Sequence, residues 1–345
     1  MVDKVYAMSS FLQFRTVCDK NIKFAEKMDY PRSCDTGFRR TQINSSQELH
    51  DFLKETTEQE SRSGKMAIAL SGGIDSAILA KFITKDTVAY TFKCIVPGKE
   101  VVDESPAAKR YCEINGLKHK IIDIYWDDYE QFTPVLMRHK QAPIHSIEVQ
   151  IYKAALQACK DGFDKFLFGE LADSVYGGLT KILSKNFTFG EFVDRYSYVL
   201  PYKALRNYEL IMEPFIKHCE DGFINVHSFF NDVFFNESFN SYKNACDAAG
   251  IKFVAPYSLT EHKPLDLERV RRGENKYLVR EVFKKLYPDL EIPAKTPMPR
   301  PVDEWLENWD GPKRPEFWQN CHINMSGDQK YYTWILEQFL NEFDL

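Results

Sequence analysis

No stretch of this chain approaches the ~18–20 uninterrupted apolar residues that a membrane-spanning helix needs. The opening residues, Met1-Val2-Asp3-Lys4, hold no apolar signal core, so the expectation is a cytoplasmic protein without a membrane partner. An excess of positive charge is missing too. The formal net charge is −5, and no global pull draws the chain toward nucleic acid or an anionic bilayer. Cys18, Cys34, Cys94, Cys112, Cys159, Cys219, Cys246 and Cys321 are present, yet none forms a Cys-x-x-Cys pair. That argues against a zinc ribbon or a redox dithiol and leaves scattered reduced thiols. Neither a repeat of roughly 20–50 residues nor a low-complexity tract occurs.

What is present is ordinary in bulk. With 345 residues, 44% of them hydrophobic and 28% charged, the chain can bury the core of one large domain or of two. One stretch stands out, Ala67-Ile68-Ala69-Leu70-Ser71-Gly72-Gly73-Ile74-Asp75-Ser76-Ala77-Ile78-Leu79-Ala80. A short apolar run reads as a buried parallel strand, and the segment after the glycines reads as a helix. The glycines let the turn take angles other residues avoid and let a ligand approach the main chain. Several N–H groups then converge on one spot, an anion site to which Ser71 and Ser76 can add hydroxyls. Asp75 is out of place there unless a cation separates it from the anion, so it reads as a Mg²⁺ ligand. The bland alternative is a strand–turn–helix with a capping Asp. The string is neither the Gly-Lys-Ser/Thr phosphate loop nor Gly-x-Gly-x-x-Gly. It resembles the pyrophosphate-binding loop of the PP-loop ATP pyrophosphatases, which split ATP between the α and β phosphates.

The rest of the chain alternates. Ser45-Ser46-Gln47-Glu48 predicts a helix start, and Ser61-Arg62-Ser63-Gly64 its end. Strands are predicted at 87–92, 120–124 and 165–168, and helices at 104–114, 126–138 and 146–159. Repeated strand-then-helix units imply a doubly wound parallel sheet, an α/β fold. Ligands of such sheets sit beyond the carboxyl ends of the strands, where the strand order reverses.

A second acidic segment follows the last of those strands: Phe168-Gly169-Glu170-Leu171-Ala172-Asp173-Ser174-Val175-Tyr176-Gly177-Gly178. Glu170 and Asp173 are three apart and share a face of a helical turn. Asp173 can then meet Asp75 across one metal while Glu170 faces the substrate. Alone, the two acids would read as a helix-start pair stabilising the dipole. Together the two stretches resemble the synthetase domain of asparagine synthetases and the β-lactam and carbapenam synthetases. That family pairs Ser-Gly-Gly-Leu-Asp-Ser with a later Ser-Gly-Glu-Gly-Ala-Asp-Glu-Leu-Phe-Gly-Gly. Phe168, Leu171 and Ser174 depart from it. Asp103-Glu104, Lys276-Tyr277-Leu278-Val279-Arg280, the segment from Lys295 through Pro297 to Trp305, and Trp334–Phe339 resemble further family segments.

The resemblance implies a PP-loop sheet with a helical C-terminal portion. Residues 1–62 would be an N-terminal extension, 63–345 the synthetase domain, and about 186–250 a helical insertion. It also implies roles. Ser71, Gly72, Gly73, Asp75 and Ser76 would take the pyrophosphate of ATP, with Asp75 and Asp173 holding Mg²⁺. Leu70, Cys94, Phe168 and Gly169 would line the adenosine pocket. Lys295 would stabilise developing charge, and Glu170 would orient the acceptor or take its proton. The residues before the sheet are fewer than the family's glutaminase domain needs, so the nitrogen source is expected to be ammonia, an amine or a separate glutaminase. Pro256-Tyr257-Ser258-Leu259 lacks the acid of the family's Pro-Phe-Leu-Asp, which puts aspartate as the substrate in doubt.

The function expected is therefore an AMP- and pyrophosphate-forming amide ligase acting on a small carboxylate. A PP-loop enzyme adenylating an RNA base is the alternative, and an idle nucleotide-binding scaffold a third reading. The acidic balance argues against nucleic acid. The aromatic-rich insertion reads as core that also shapes the acceptor pocket. His145 reads as a capping or packing residue, and Arg269–Arg272 as a solvated face beside the Lys276 helix.

Overall fold

The computed structural model describes residues 1–28, 40–296 and 298–345, so Cys34 and Pro297 lie outside the described residues. The seven described cysteines are all free. The chain opens with α1 (Lys4–Phe14), whose N-cap Asp3 accepts the Tyr6 amide. α2 (Ser46–Arg62) starts at Ser45, whose hydroxyl accepts the Glu48 amide, as the Ser-x-x-Glu signature requires. Then come β1 (Met66–Ala69), α3 (Ile74–Ala80), β2 (Val88–Cys94), α4 (Ser105–Asn115), β3 (Lys118–Ile124), α5 (Trp126–Lys140), α6 (Glu148–Lys160) and β4 (Lys165–Leu167). Gly116 closes α4 at φ +68°, a left-handed cap that glycine takes without strain. After several short elements follow α7 (Phe235–Ala249), β5 (Lys252–Val254), α8 (Tyr277–Leu286) and α9 (Gly327–Glu342).

The five strands form one parallel sheet in the order β3-β2-β1-β4-β5. Ile68 lies opposite Ala89 on one side and Leu167 on the other. β1 and β4 are buried at every residue, whereas the edge strand β3 keeps exposed positions. That is why β1 reads as an unbroken apolar run, while in β4 the buried Lys165 pairs with Glu60 at 2.7 Å. The chain starts in the middle, steps outward through β2 and β3, then returns past β1 to β4 and β5. Right-handed crossovers made in opposite directions put α3 and α4 on one face and α6 and α7 on the other. α8 packs on α2 and α3, and α7 on α6. The sheet is doubly wound, and its order reverses between β1 and β4. Both acidic loops leave the sheet there.

Residues 1–62, the expected N-terminal extension, pack into the body of the fold. Tyr6 through Phe14 are buried, α1 packs on α9, and Thr41–Gln42 pairs in parallel with Thr260–Glu261. The polar composition of 1–62 hid one short helix buried on all sides. The segment 186–250 ends in α7, which packs on α6 and β5. Its earlier part is the aromatic core expected: Tyr196 and Phe229 centroids lie 4.6 Å apart, and Phe14 of α1 joins at 5.0 Å from Phe215. Among the described residues no helix is long and apolar enough to cross a membrane.

Candidate active site

A cavity of about 890 Å³ opens at the strand-order reversal. Its floor is the turn after β1. There the Ser71 amide donates to Ser76 Oγ (3.1 Å), the two hydroxyls lie 3.0 Å apart, and the Gly73 amide donates to Ser71 Oγ (3.1 Å). The Gly72 amide faces the carboxylate of Glu104. The Ser71, Gly72 and Gly73 amides are each taken by a different side-chain oxygen, of Ser76, Glu104 and Ser71 in turn. Gly72 and Gly73 do not carry positive φ, contrary to expectation. Gly73 is extended at φ −85°, and a methyl on Gly72 would meet Ala107 Cβ at 3.0 Å. Space, rather than backbone angle, explains the glycine at 72.

Space also explains Gly169 and Gly178. A Cβ on Gly169 would stand 2.8 Å from the Ser76 nitrogen, so the two acidic loops touch through that residue. A Cβ on Gly178 would collide with Asp173 Oδ1 and Lys276 Cε.

The two acids meet, with a cation between them. Lys276 Nζ lies 2.5 Å from Asp75 Oδ2 and 2.8 Å from Asp173 Oδ1. Lys295 Nζ reaches the same Asp173 oxygen at 2.9 Å and donates to the Gly178 carbonyl at 3.0 Å. Burial works against ionising Asp173, but the two ammonium groups hold its carboxyl at about 2. Burial pushes the Asp75 carboxyl upward against the pull of Lys276. Desolvation opposes the charge on Lys276, yet both acids keep it protonated. Asp75 Oδ1 is buried without a hydrogen-bond partner. Among the described residues no group of three or more His, Cys, Asp or Glu side chains gathers. Two carboxylates and an orphaned oxygen fit a Mg²⁺ whose remaining ligands are phosphate oxygens and water. The position between the acids is the one the Lys276 ammonium takes.

Glu170 and Asp173 do not share a helical face, because Leu171 takes φ +71° and the helical turn begins only at Ala172. The family's segment has glycine at this left-handed position. Leu171 bears the strain and packs on Phe235 and Phe239. The kink turns Glu170 away, where it accepts from Ser238 Oγ at 2.7 Å. Burial pushes its carboxyl up, opposed by hydrogen bonds from Ser238 and Tyr242. Burial likewise pushes Glu104 up to about 7.

Leu70, Ser71, Gly72, Gly73, Asp75, Ser76, Phe168, Gly169, Glu170, Asp173 and Lys295 all line the cavity. Cys94 does not. Its thiol is buried, is pushed up to about 12 by desolvation, and points at the Pro299 carbonyl (3.4 Å). Thr91 and Phe92, earlier on the same strand, line the wall instead. None of Arg269–Arg272 lines it; Arg269 pairs with Glu274 and Glu281. His145 accepts the Ile147 amide at 3.1 Å, the capping role expected, and also lines the cavity. In the Pro256–Leu259 segment, the Tyr257 hydroxyl donates to the Asp75 carbonyl at 3.3 Å.

Sequence reasoning missed Lys276 as a site residue, although its Lys-x-x-x-Arg segment had been noticed. It also missed Glu104, whose Asp-Glu pair was in view, and Arg15 and Arg300, for which no motif existed.

Residues 48–217 match the family model described as asparagine synthase. No curated protein matches the chain. Among solved structures the chain is similar to a tRNA thiolase from Methanococcus maripaludis, at 14% identity and TM-score 0.32, covering 86% of this chain and 79% of that one. It is also similar to the NH3-dependent NAD synthetase from Campylobacter jejuni, at 11% identity and TM-score 0.27, covering 74% and 100%. The NMN synthetase from Francisella tularensis shows 14% identity and TM-score 0.27, covering 74% and 99%. Likenesses at these scores carry no weight for the chemistry. The family match stops before Lys276 and Lys295, which the fold brings back to the matched loops. Residues 48–217, which hold the glycine turn and the Glu170–Asp173 segment, are an asparagine synthase-like domain by that match.

Proposed function

We propose that this protein is an ATP-dependent ligase that adenylates a small-molecule carboxylate, releases pyrophosphate, and passes the acyl group to ammonia or an amine with release of AMP. The asparagine synthase domain supports the coarser part, an ATP-using enzyme of ligase type. One observation carries the finer part. The glycine turn, Asp75, Asp173, Lys276 and Lys295 converge at one end of a single cavity, and Glu170 is turned from them toward Ser238.

A carboxylate acylates poorly because oxide is a poor leaving group. Attack of its oxygen on the α-phosphorus of ATP gives an acyl-adenylate, and an amine can then displace AMP. The departing pyrophosphate is densely anionic, and the amides of the turn, once freed from their side-chain acceptors, would receive it together with Lys295. Asp75 and Asp173 would hold Mg²⁺, which when bound screens the phosphate oxygens. Lys276 must then leave Asp75 while keeping its charge close by. Glu170, with its raised affinity for a proton, suits a group that orients the amine and takes its proton. Nitrogen would come as free ammonia, from a separate glutaminase, or as a second substrate's amine.

ATP–pyrophosphate exchange against a panel of small carboxylic acids, with RNA as a control, tests this reading. Exchange that requires a small acid, with AMP as the spent nucleotide, is expected. ADP as product, or exchange that requires RNA, overturns it.

A further inference from the structure

The ammonium that joins the two acids is held by features that a phosphate contact alone does not need. Lysine is seldom buried unless it is paired, and Lys276 is buried. It stands at φ +52° just before the first turn of α8, a left-handed conformation uncommon outside glycine. Gly178, by having no Cβ, leaves room for its Cε. The backbone beside it is fixed. The Tyr277 hydroxyl donates to His262 Nε2 at 2.6 Å, and His262 Nδ1 donates to the Ile43 carbonyl at 2.8 Å, while α8 packs on α2 and α3. The ammonium therefore leaves the acids by side-chain rotation into the cavity that Lys276 lines, with no shift of the helix. Lys295 differs: its side chain is 42% exposed where it pairs with Asp173.

The charges of this cluster balance without any ligand. Asp75 and Asp173 bring two negative charges, and Lys276 and Lys295 bring two positive ones. Free Mg²⁺ meets no net attraction here. To reach both carboxylates it must replace the ammonium at Asp75 Oδ2 (2.5 Å) and Asp173 Oδ1 (2.8 Å). That strands a buried ammonium without an anion, which is costly. Triphosphate alone fares no better, because the two carboxylates would face it across the turn. When metal and triphosphate arrive together, the phosphate oxygens give the displaced ammonium its new anion, and the metal screens the acids from the phosphates. Each ligand then favours the other, by the same factor in both directions.

We propose that Lys276 is a built-in counter-ion, which takes the metal's place between Asp75 and Asp173 in the resting protein and yields only to Mg²⁺ and nucleotide together. This rests on the adenylation reading above, in which those two acids hold the metal. It sets an order of events: free divalent cation is refused, and the lysine released from Asp75 is delivered to the phosphates as they are seated.

Mn²⁺ binding to nucleotide-free protein, read by electron-spin resonance of the free ion, tests this without turnover. The wild type should refuse Mn²⁺ up to about 1 mM. Lys276→Gln and Lys276→Met should each open one site that binds it at least about tenfold more tightly, and adding Asp75→Asn should close that site again. Lys276→Arg, which keeps the charge, should keep the refusal. In thermal unfolding without nucleotide, Mg²⁺ should raise the midpoint of the two neutral variants by several degrees and leave the wild type unmoved. If those variants fold poorly, Mg²⁺ alone should restore them. Neutral variants that gain neither Mn²⁺ nor stability, or a wild type that binds Mn²⁺ as tightly as they do, overturn the counter-ion. ATP–pyrophosphate exchange by the wild type reads adenylation separately. Exchange without the gain in Mn²⁺ keeps adenylation and overturns the counter-ion, the gain without exchange does the reverse, and absence of both overturns both.

Discussion

The two ends of the cavity are each built on buried charge, yet they are assembled differently. At the phosphate end, Asp75 and Asp173 follow adjacent strands of the sheet and are joined by Lys276 and Lys295 from one C-terminal stretch. At the far end, Arg15, Glu237 and Arg300 come from α1's cap, α7 and the segment after Lys295, with no strand among them. The first end has partners that solvent still reaches, with Asp173 a third exposed. At the second, the Arg15 and Glu237 side chains are only 6% and 2% exposed. A site that must exchange its cation keeps access to water. One that must only present a fixed charge can close around it.

Four measurements break or sharpen this contrast. Lys295→Ala should lower turnover about a thousandfold, the scale of removing a charge-stabilising donor, with little change in ATP binding by calorimetry. Turnover that survives would detach Lys295 from the phosphate end. Glu237→Ala should cost about 3 kcal/mol in urea unfolding, because it strands a buried guanidinium. Lys276→Met should cost less, about 2 kcal/mol without nucleotide, since water and Lys295 still reach Asp173. That loss should shrink when Mg²⁺ and ATP are added; an equal loss at both ends would erase the distinction between them.

The smallest effect concerns pH. Glu104 titrates at about 7 because it is buried beside the turn. Below that pH it is neutral; above it, its charge competes with phosphate for the Gly72 amide. ATP affinity should therefore fall a few-fold between about pH 6 and 8, and Glu104→Gln should flatten the profile. The raised carboxyl also costs stability as pH rises from 4.5, its unperturbed value, to about 7. A flat wild-type profile would remove Glu104 from the turn's economy.

The same contrast explains what could be read from the sequence. Asp75, Glu170 and Asp173 were legible because each follows an apolar strand and lies within a few residues of glycines needed for contact. The doubly wound parallel sheet followed from the alternation of strands and helices. The split between Glu170 and Asp173 was not legible, because a leucine at +71° looks like any helical leucine. Lys276 sat in a noticed segment, but nothing local says that its ammonium reaches residues about 100 and 200 positions away. Arg15 was invisible for the same reason. Its partners lie at positions 145, 198, 237 and 332, and only packing brings them together. Cys94 was misplaced by the opposite error, a strand-end position read as a wall when the wall lies two residues earlier.

α7 has a mechanical corollary. Glu237 and Ser238 leave the helix in succession, so one rigid rod is bolted to both a guanidinium and a carboxyl that face different chemistry. Any twist of that rod gears the two together. Whatever displaces the arginine therefore re-aims the acid.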